Sequence, residues 1–204
     1  QEAVSNLCGA LDFYIESGNV EHAVEVAEHP IHPIVGWDIG LVDLISKALK
    51  LVPSDTHEQG HLLARYGLAL ALETLDYEGA QDAFGRALKI AQRESDAALE
   101  MQTLAFGADV DWYHFRFQDS LDKGLRAIEL AEQVDDLFSL VTARFYVARA
   151  WDFIGNLEQA RVHATALLAD AKELRDHSWL AWAYWISGTL ARLEGDWETA
   201  RSYN

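Results

Sequence analysis

The segments Leu75-Asp76-Tyr77-Glu78-Gly79-Ala80, Phe115-Arg116-Phe117-Gln118-Asp119-Ser120, Gly155-Asn156-Leu157-Glu158-Gln159-Ala160 and Gly195-Asp196-Trp197-Glu198-Thr199-Ala200 follow one another at a constant offset of 40 residues. A constant stride restricts the chain to a stacked array, because a short repeat can bury its apolar face only against its neighbours. Each copy ends in a small residue, with Glu or Gln two positions before it and a large apolar residue (Tyr77, Phe117, Leu157, Trp197) three before it. That pattern is a turn followed by a helix start. Twelve residues before each small residue stand Leu68, Ala108, Ala148 and Gly188, so three of the four repeats also place a tiny side chain in the preceding helix. Small residues at both points let antiparallel helices approach closely.

Apolar spacing such as Ala83, Phe84, Ala87, Leu88 has the 3.6-residue period. It predicts helices over 57–74, 78–93, 97–113, 118–134, 137–153, 157–174 and 177–193, with another starting near 197. Ser95 with Asp96, and Asp135 with Asp136, are the expected corners between repeats. Upstream, Glu16-Ser17-Gly18-Asn19-Val20-Glu21-His22-Ala23 repeats the turn out of register between helices near 2–16 and 20–29. Pro30 and Pro33 stop the chain, and a further amphipathic helix near 38–51 leads to Val52-Pro53. The expected fold is all-α, a right-handed α-α superhelix of about five helix pairs, forming one domain over 1–204 with irregular helices in 1–53 and the regular array in 54–204. The chain opens on Gln1 and closes on Asn204 one turn into a new helix, which reads as an excised piece with a truncated last repeat.

Sixteen Lys and Arg against 33 Asp and Glu give a formal charge of −17. That field repels phosphate backbones and anionic lipid, so no nucleic acid and no membrane is expected as a partner of this segment. No apolar run approaches the roughly 20 residues of a membrane span, and the first residues lack a basic region before an apolar stretch; a cytoplasmic location is expected. The single cysteine, Cys8, leaves no disulfide framework and no Cys-based zinc site.

The small-residue and aromatic pattern resembles the tetratricopeptide repeat, with a stride longer than the usual ~34 residues and without the closing Pro. The long pairs, together with Gly18 to Ala23, the helix ending Lys50-Leu51-Val52-Pro53, and Leu62-Leu63-Ala64-Arg65-Tyr66-Gly67, resemble the superhelical arm of large LuxR-type and maltose-activator-type bacterial regulators. The resemblance implies a regulatory arm between a nucleotide-binding ATPase and a helix-turn-helix domain, with DNA binding assigned to the missing domain and the arm shifting between inhibited and oligomerising states. A stand-alone tetratricopeptide scaffold gripping a peptide is the alternative.

For chemistry, His57-Glu58-Gln59-Gly60-His61 matches the zinc-protease pattern of two His one helical turn apart with a Glu to activate water. The longer form fails, with Ala64 where Gly and Gly67 where the third His belong, and Asp55 with Glu58 offers a capping box at this helix start instead. His22, His29 and His32 cluster near the proline corner and could form a metal site, although such histidines are more often loop and capping residues. No phosphate-cradling Gly loop or nucleophile elbow is present. No catalytic residue, metal ligand or cofactor is therefore assigned. In stacked pairs the first helix of each repeat lines the concave surface. The repeat register places Arg65, Glu73, Gln102, Asp109, Trp112, Tyr113, Phe145, Arg149, Asp152, Trp182, Trp185 and Arg192 there, aromatic anchors beside charges. The expected occupant is a protein or a small-molecule effector, basic or neutral or sugar-like rather than phosphorylated. Homo-oligomerisation stays open.

Overall fold

The recurring Asp and Asn positions punctuate the chain. In the computed structural model, which describes residues 2–33 and 35–203 and side chains from Val4 onward, Asp76, Asn156 and Asp196 each accept a hydrogen bond from the backbone N–H three residues ahead, at 2.9, 3.1 and 3.0 Å. Asp96, Asp136 and Asp176 do the same at the alternate corners, each at 3.0 Å. A carboxylate or amide at the N-cap satisfies a backbone donor that the helix itself leaves open. Arg116, in register with Asp76 and Asn156, has no such side-chain cap.

The residue before each turn cap is left-handed: Leu75 at φ 60°, Phe115 at 59°, Gly155 at 90° and Gly195 at 81°. Glycine takes this conformation without penalty, whereas Leu75 and Phe115 are strained there.

The described residues form eleven helices and no strand, and divide into two compact units, 1–103 and 104–204. The first unit holds α1 (Glu2–Glu16), α2 (Val20–Ala27), α3 (Leu41–Leu49), α4 (His57–Glu73), α5 (Tyr77–Glu94) and the first turns of α6 (Ala97–Tyr113). Its core joins Leu11, Leu44, Ile45 and Leu62 with Ala23, Ala27, Ala48 and Ala69. Gly60 lets α4 lie close on its neighbours: a Cβ there would collide with Leu99 Cδ2 and stand 3.2 Å from Ile90 Cγ2.

The second unit holds the rest of α6, then α7 (Phe117–Leu130), α8 (Leu137–Ile154), α9 (Leu157–Leu174), α10 (His177–Leu193) and α11 (Trp197–Ser202). Ala108, Ala148, Ala160, Ala164, Leu167, Ala183 and Ile186 form its core, so the small residues expected at the close approaches are buried. Ser120 Oγ, fully buried, donates to the Ala108 carbonyl at 2.7 Å. Arg144 reaches Asp170 at 3.1 Å and ties α8 to α9.

Three local expectations need correction. Helix α7 ends at Leu130, four residues early, because the Ala131 N–H is shared between the Ala127 and Ile128 carbonyls at 3.2 Å each and the chain turns. Helix α3 is shorter than 38–51, starting after left-handed Gly40 and ending at Leu49. The capping box before α4 is formed by Thr56 and Gln59, not Asp55 and Glu58: the Gln59 N–H donates to Thr56 Oγ1 at 3.3 Å, and Gln59 Oε1 accepts from the Asp55 N–H at 2.8 Å. Gln1 and Asn204, on which the reading of excised ends rests, lie outside the described residues. Among the described residues, no helix is long and apolar enough to cross a membrane.

Candidate functional site

Two of the expected groove residues are buried structural groups. Arg65 is 6% exposed, and its guanidinium donates to the Ala27 carbonyl at 3.1 Å, to the His29 carbonyl and to the Ile31 carbonyl at 3.5 Å. It thereby satisfies carbonyls at and beyond the C-terminus of α2, where a cation also meets the negative end of the helix dipole. Burial pulls it down to about 10, opposed by nearby Glu28, so it stays charged at neutral pH. Glu73, 7% exposed, is a tertiary cap for α3: its Oε1 accepts from the N–H groups of Ile39 and Leu41 at 3.2 Å, and Oε2 from Val42 at 3.1 Å. The glycine that precedes α3 has no side chain to do this. Gln102 is half-buried, with Oε1 2.9 Å from His61 Nδ1. Arg65 and Glu73 are thus committed to backbone partners.

The second unit gathers eight of the other nine. On α8, one turn apart, lie Phe145 and Arg149, with Asp152 three residues on. The Arg149 guanidinium lies 4.0 Å from the centroid of the Trp112 ring and 4.5 Å from that of Trp185, close enough for strong cation–π attraction to both. Phe145 and Phe153 stand 5.9 and 5.7 Å away. Trp182 meets Trp185 edge to face at 5.6 Å and Phe145 at 5.9 Å. Trp182 and Trp185 nevertheless remain 50% and 44% exposed.

Beneath this face runs a polar chain. The buried Tyr146 hydroxyl is hydrogen-bonded to buried Asp109 and to Tyr113. Burial holds Tyr146 well above the usual phenol range, and the Asp109 and Tyr113 charges push the same way; Tyr113 is raised by burial and by Asp109. Burial lowers Arg149, opposed by Tyr146 and Asp152, and raises Asp152, opposed by Arg149. Two donors in the cluster, Arg149 Nε and Trp112 Nε1, are buried with no hydrogen-bond partner among the described residues. A buried donor left unsatisfied carries a desolvation cost.

Arg192 lies exposed in the last turn of α10, outside the aromatic cluster. Tyr146 and Phe153 belong to the cluster without having been expected there; Phe153 stands one helical turn beyond Arg149, the spacing that could have found it. A separate recess lined by Arg161, Leu168, Leu190 and Tyr203 involves none of the expected residues.

His22, His29 and His32 do not assemble: His22 Nδ1 pairs with Asn19 Oδ1 at 3.0 Å, and His32 Nδ1 with the Pro33 carbonyl at 2.8 Å. Hydrogen bonds from its own backbone N–H and from Thr56 lower Glu58 below the usual carboxylate range.

No family model matches the chain, and no curated protein does. Solved structures do. A crystal structure of BtubC (BKLC) from P. vanneervenii is similar at TM-score 0.63 and 15% identity, covering 99% of this chain and 87% of that one. A crystal structure of a Podosopora anserina putative kinesin light chain with nearly identical TPR-like repeats is similar at TM-score 0.60 and 12% identity, covering 98% of this chain and 90% of that one. At these identities the likeness is one of fold, and the fold is an all-helical, tetratricopeptide-like repeat.

Proposed function

We propose that the chain is a non-catalytic recognition scaffold that holds a segment of a partner protein against the face made by Trp112, Tyr113, Phe145, Arg149, Asp152, Trp182 and Trp185. The observation that carries this is the pair of half-exposed tryptophans beside Arg149, whose Nε is buried and unpartnered. Rigid tryptophan and tyrosine anchors beside an arginine are the residue types in which recognition hot spots are enriched. The half-exposed indoles of Trp182 and Trp185 suit an apolar side chain. Asp152, half-buried beside Arg149, favours a segment that also carries a basic residue.

Panning a library of short random peptides against the chain, and then against W182A/W185A, tests this. Peptides bound by the first and weakened at least ~10-fold, or ~1.4 kcal/mol, in the second support the reading, provided the helical circular dichroism is unchanged. Peptides bound equally well by both would overturn it.

A narrower form of the same proposal makes the scaffold the regulatory arm of a LuxR-type transcriptional regulator. Its support is the sequence resemblance around Gly18 to Ala23 and Leu62 to Gly67. Reading the full-length gene for a nucleotide-binding ATPase and a helix-turn-helix domain tests it; a gene without them leaves the stand-alone scaffold.

A further inference from the structure

The return of α5 into α6 brings a third side chain to the two histidines of α4. His57 and His61, four residues apart, share one face of their helix, and their rings meet edge to face with centroids 4.6 Å apart. Asp96 arrives from the corner before α6. Its Oδ1 caps that helix through the Leu99 N–H at 3.0 Å, and its buried Oδ2 is left facing the imidazoles, 2.8 Å from His57 Nδ1 and 4.0 Å from His61 Nε2. The 2.8 Å approach lies off the direction in which a ring N–H would point, so no hydrogen bond satisfies Oδ2. One ligand atom from each residue falls within 4.8 Å of the others.

A second feature points the same way. Gln102 Oε1 stands 2.9 Å from His61 Nδ1; an amide oxygen can only accept, so Nδ1 carries the proton and the Nε2 lone pair faces Asp96. Fixing the tautomer through the remote ring nitrogen is how proteins orient a metal-binding histidine.

We propose that His57, His61 and Asp96 bind a divalent transition-metal ion of the zinc class, with Gln102 as positioning residue. Two imidazoles and one carboxylate oxygen suit zinc or cobalt and not calcium or magnesium, which require more oxygens. Metal–ligand bonds of about 2.0–2.2 Å put tetrahedral ligands roughly 3.3–3.6 Å apart, within the 4.8 Å span already present. The neighbouring Glu28 carboxylate and Arg65 guanidinium offset one another in charge. Hydrogen bonds from its own backbone N–H and from Thr56 lower Glu58. An ion held by these three residues would fasten α4 to the α5–α6 corner. This proposal is independent of the aromatic face.

Chelator-stripped full chain titrated with zinc chloride by calorimetry, and with cobalt chloride by visible absorbance, tests it. The expected result is one zinc per chain, a higher melting temperature with zinc, and a cobalt spectrum of tetrahedral intensity. H61A should weaken zinc binding at least ~100-fold, and Q102A about 10-fold, as loss of an orienting partner does. H22A, outside the cluster, should change nothing. Should H61A fail to show native circular dichroism, H57A takes its place, because that ring is half-exposed and its loss leaves the packing intact. Absence of stoichiometric zinc in the parent chain, or equal zinc affinity in the parent and the ligand variant, would overturn the proposal.

Discussion

Ser120 donates its hydroxyl hydrogen to the carbonyl of Ala108, twelve residues back, at 2.7 Å and with no solvent access. The same offset links Ala148 to Ala160, both fully buried, and Gly188 to Ala200, where a Cβ on the glycine would stand 3.6 Å from the Ala200 carbonyl oxygen. Helix pairs in the second unit thus close on small side chains. Ala160→Leu should wedge α8 from α9 and destabilise the chain by about 1–3 kcal/mol through overpacking. Urea denaturation measures this, and a midpoint equal to that of the parent would show that the site has room.

Leu75 yields a prediction of opposite sign. Its φ of 60° is a conformation that costs a non-glycine residue about 1–2 kcal/mol, and its side chain is 60% exposed, so little packing opposes its removal. Gly155 and Gly195 already occupy the same place in later repeats. Leu75→Gly should raise stability by about 0.5–1 kcal/mol despite the entropy glycine adds to the unfolded chain. A lower melting temperature would mean that the leucine contacts outweigh the backbone strain.

The repeat was legible because its determinants are local. The turn, the Asp or Asn cap and the small residue lie within six positions and recur, so helix order and most boundaries follow from spacing. The burial of Arg65 and Glu73 was not legible because their partners are remote: Arg65 bonds to Ala27 across 38 residues, and Glu73 to Ile39 across 34. On the projected face they look like exposed charges, yet the irregular helices of 1–53 return over them. Asp96 was legible as a cap but not as a neighbour of His57 and His61, since that meeting depends on how α5 returns. Phe145, Arg149, Trp182 and Trp185 lie near one another, because successive first helices lie side by side in one register.

Tyr146 and Tyr113 should limit the stability of the fold at alkaline pH. Both are raised above the ordinary phenol value of about 10, chiefly by burial. A group whose folded value exceeds its unfolded one contributes stability that is complete below about pH 10 and is lost as pH rises through the folded value. The melting temperature should therefore fall steeply above pH 10, and Tyr146→Phe, which has no proton to lose there, should flatten the fall while lowering stability at neutral pH by about 0.5–1.5 kcal/mol for the lost hydrogen bond. Parallel curves for the two proteins would remove Tyr146 from the explanation.

Arg149 separates stacking from charge. Its planar guanidinium lies between Trp112 and Trp185 at 4.0 and 4.5 Å, a position that a lysine ammonium, shorter in reach, more strongly hydrated and not planar, cannot fill in the same way. Arg149→Lys keeps the charge and should still lose about 0.5–2 kcal/mol, the range of a cation–π contact from exposed to desolvated, with tryptophan emission shifting to longer wavelength as water reaches the indoles. Arg149→Met keeps the apolar stem and removes a cation that burial disfavours, so its stability should lie closer to that of the parent than the lysine variant's does. If lysine instead matches the parent and methionine is the damaging change, the positive charge and not the stacked plane holds the face together, and the indoles would be free to accept a cation from a partner.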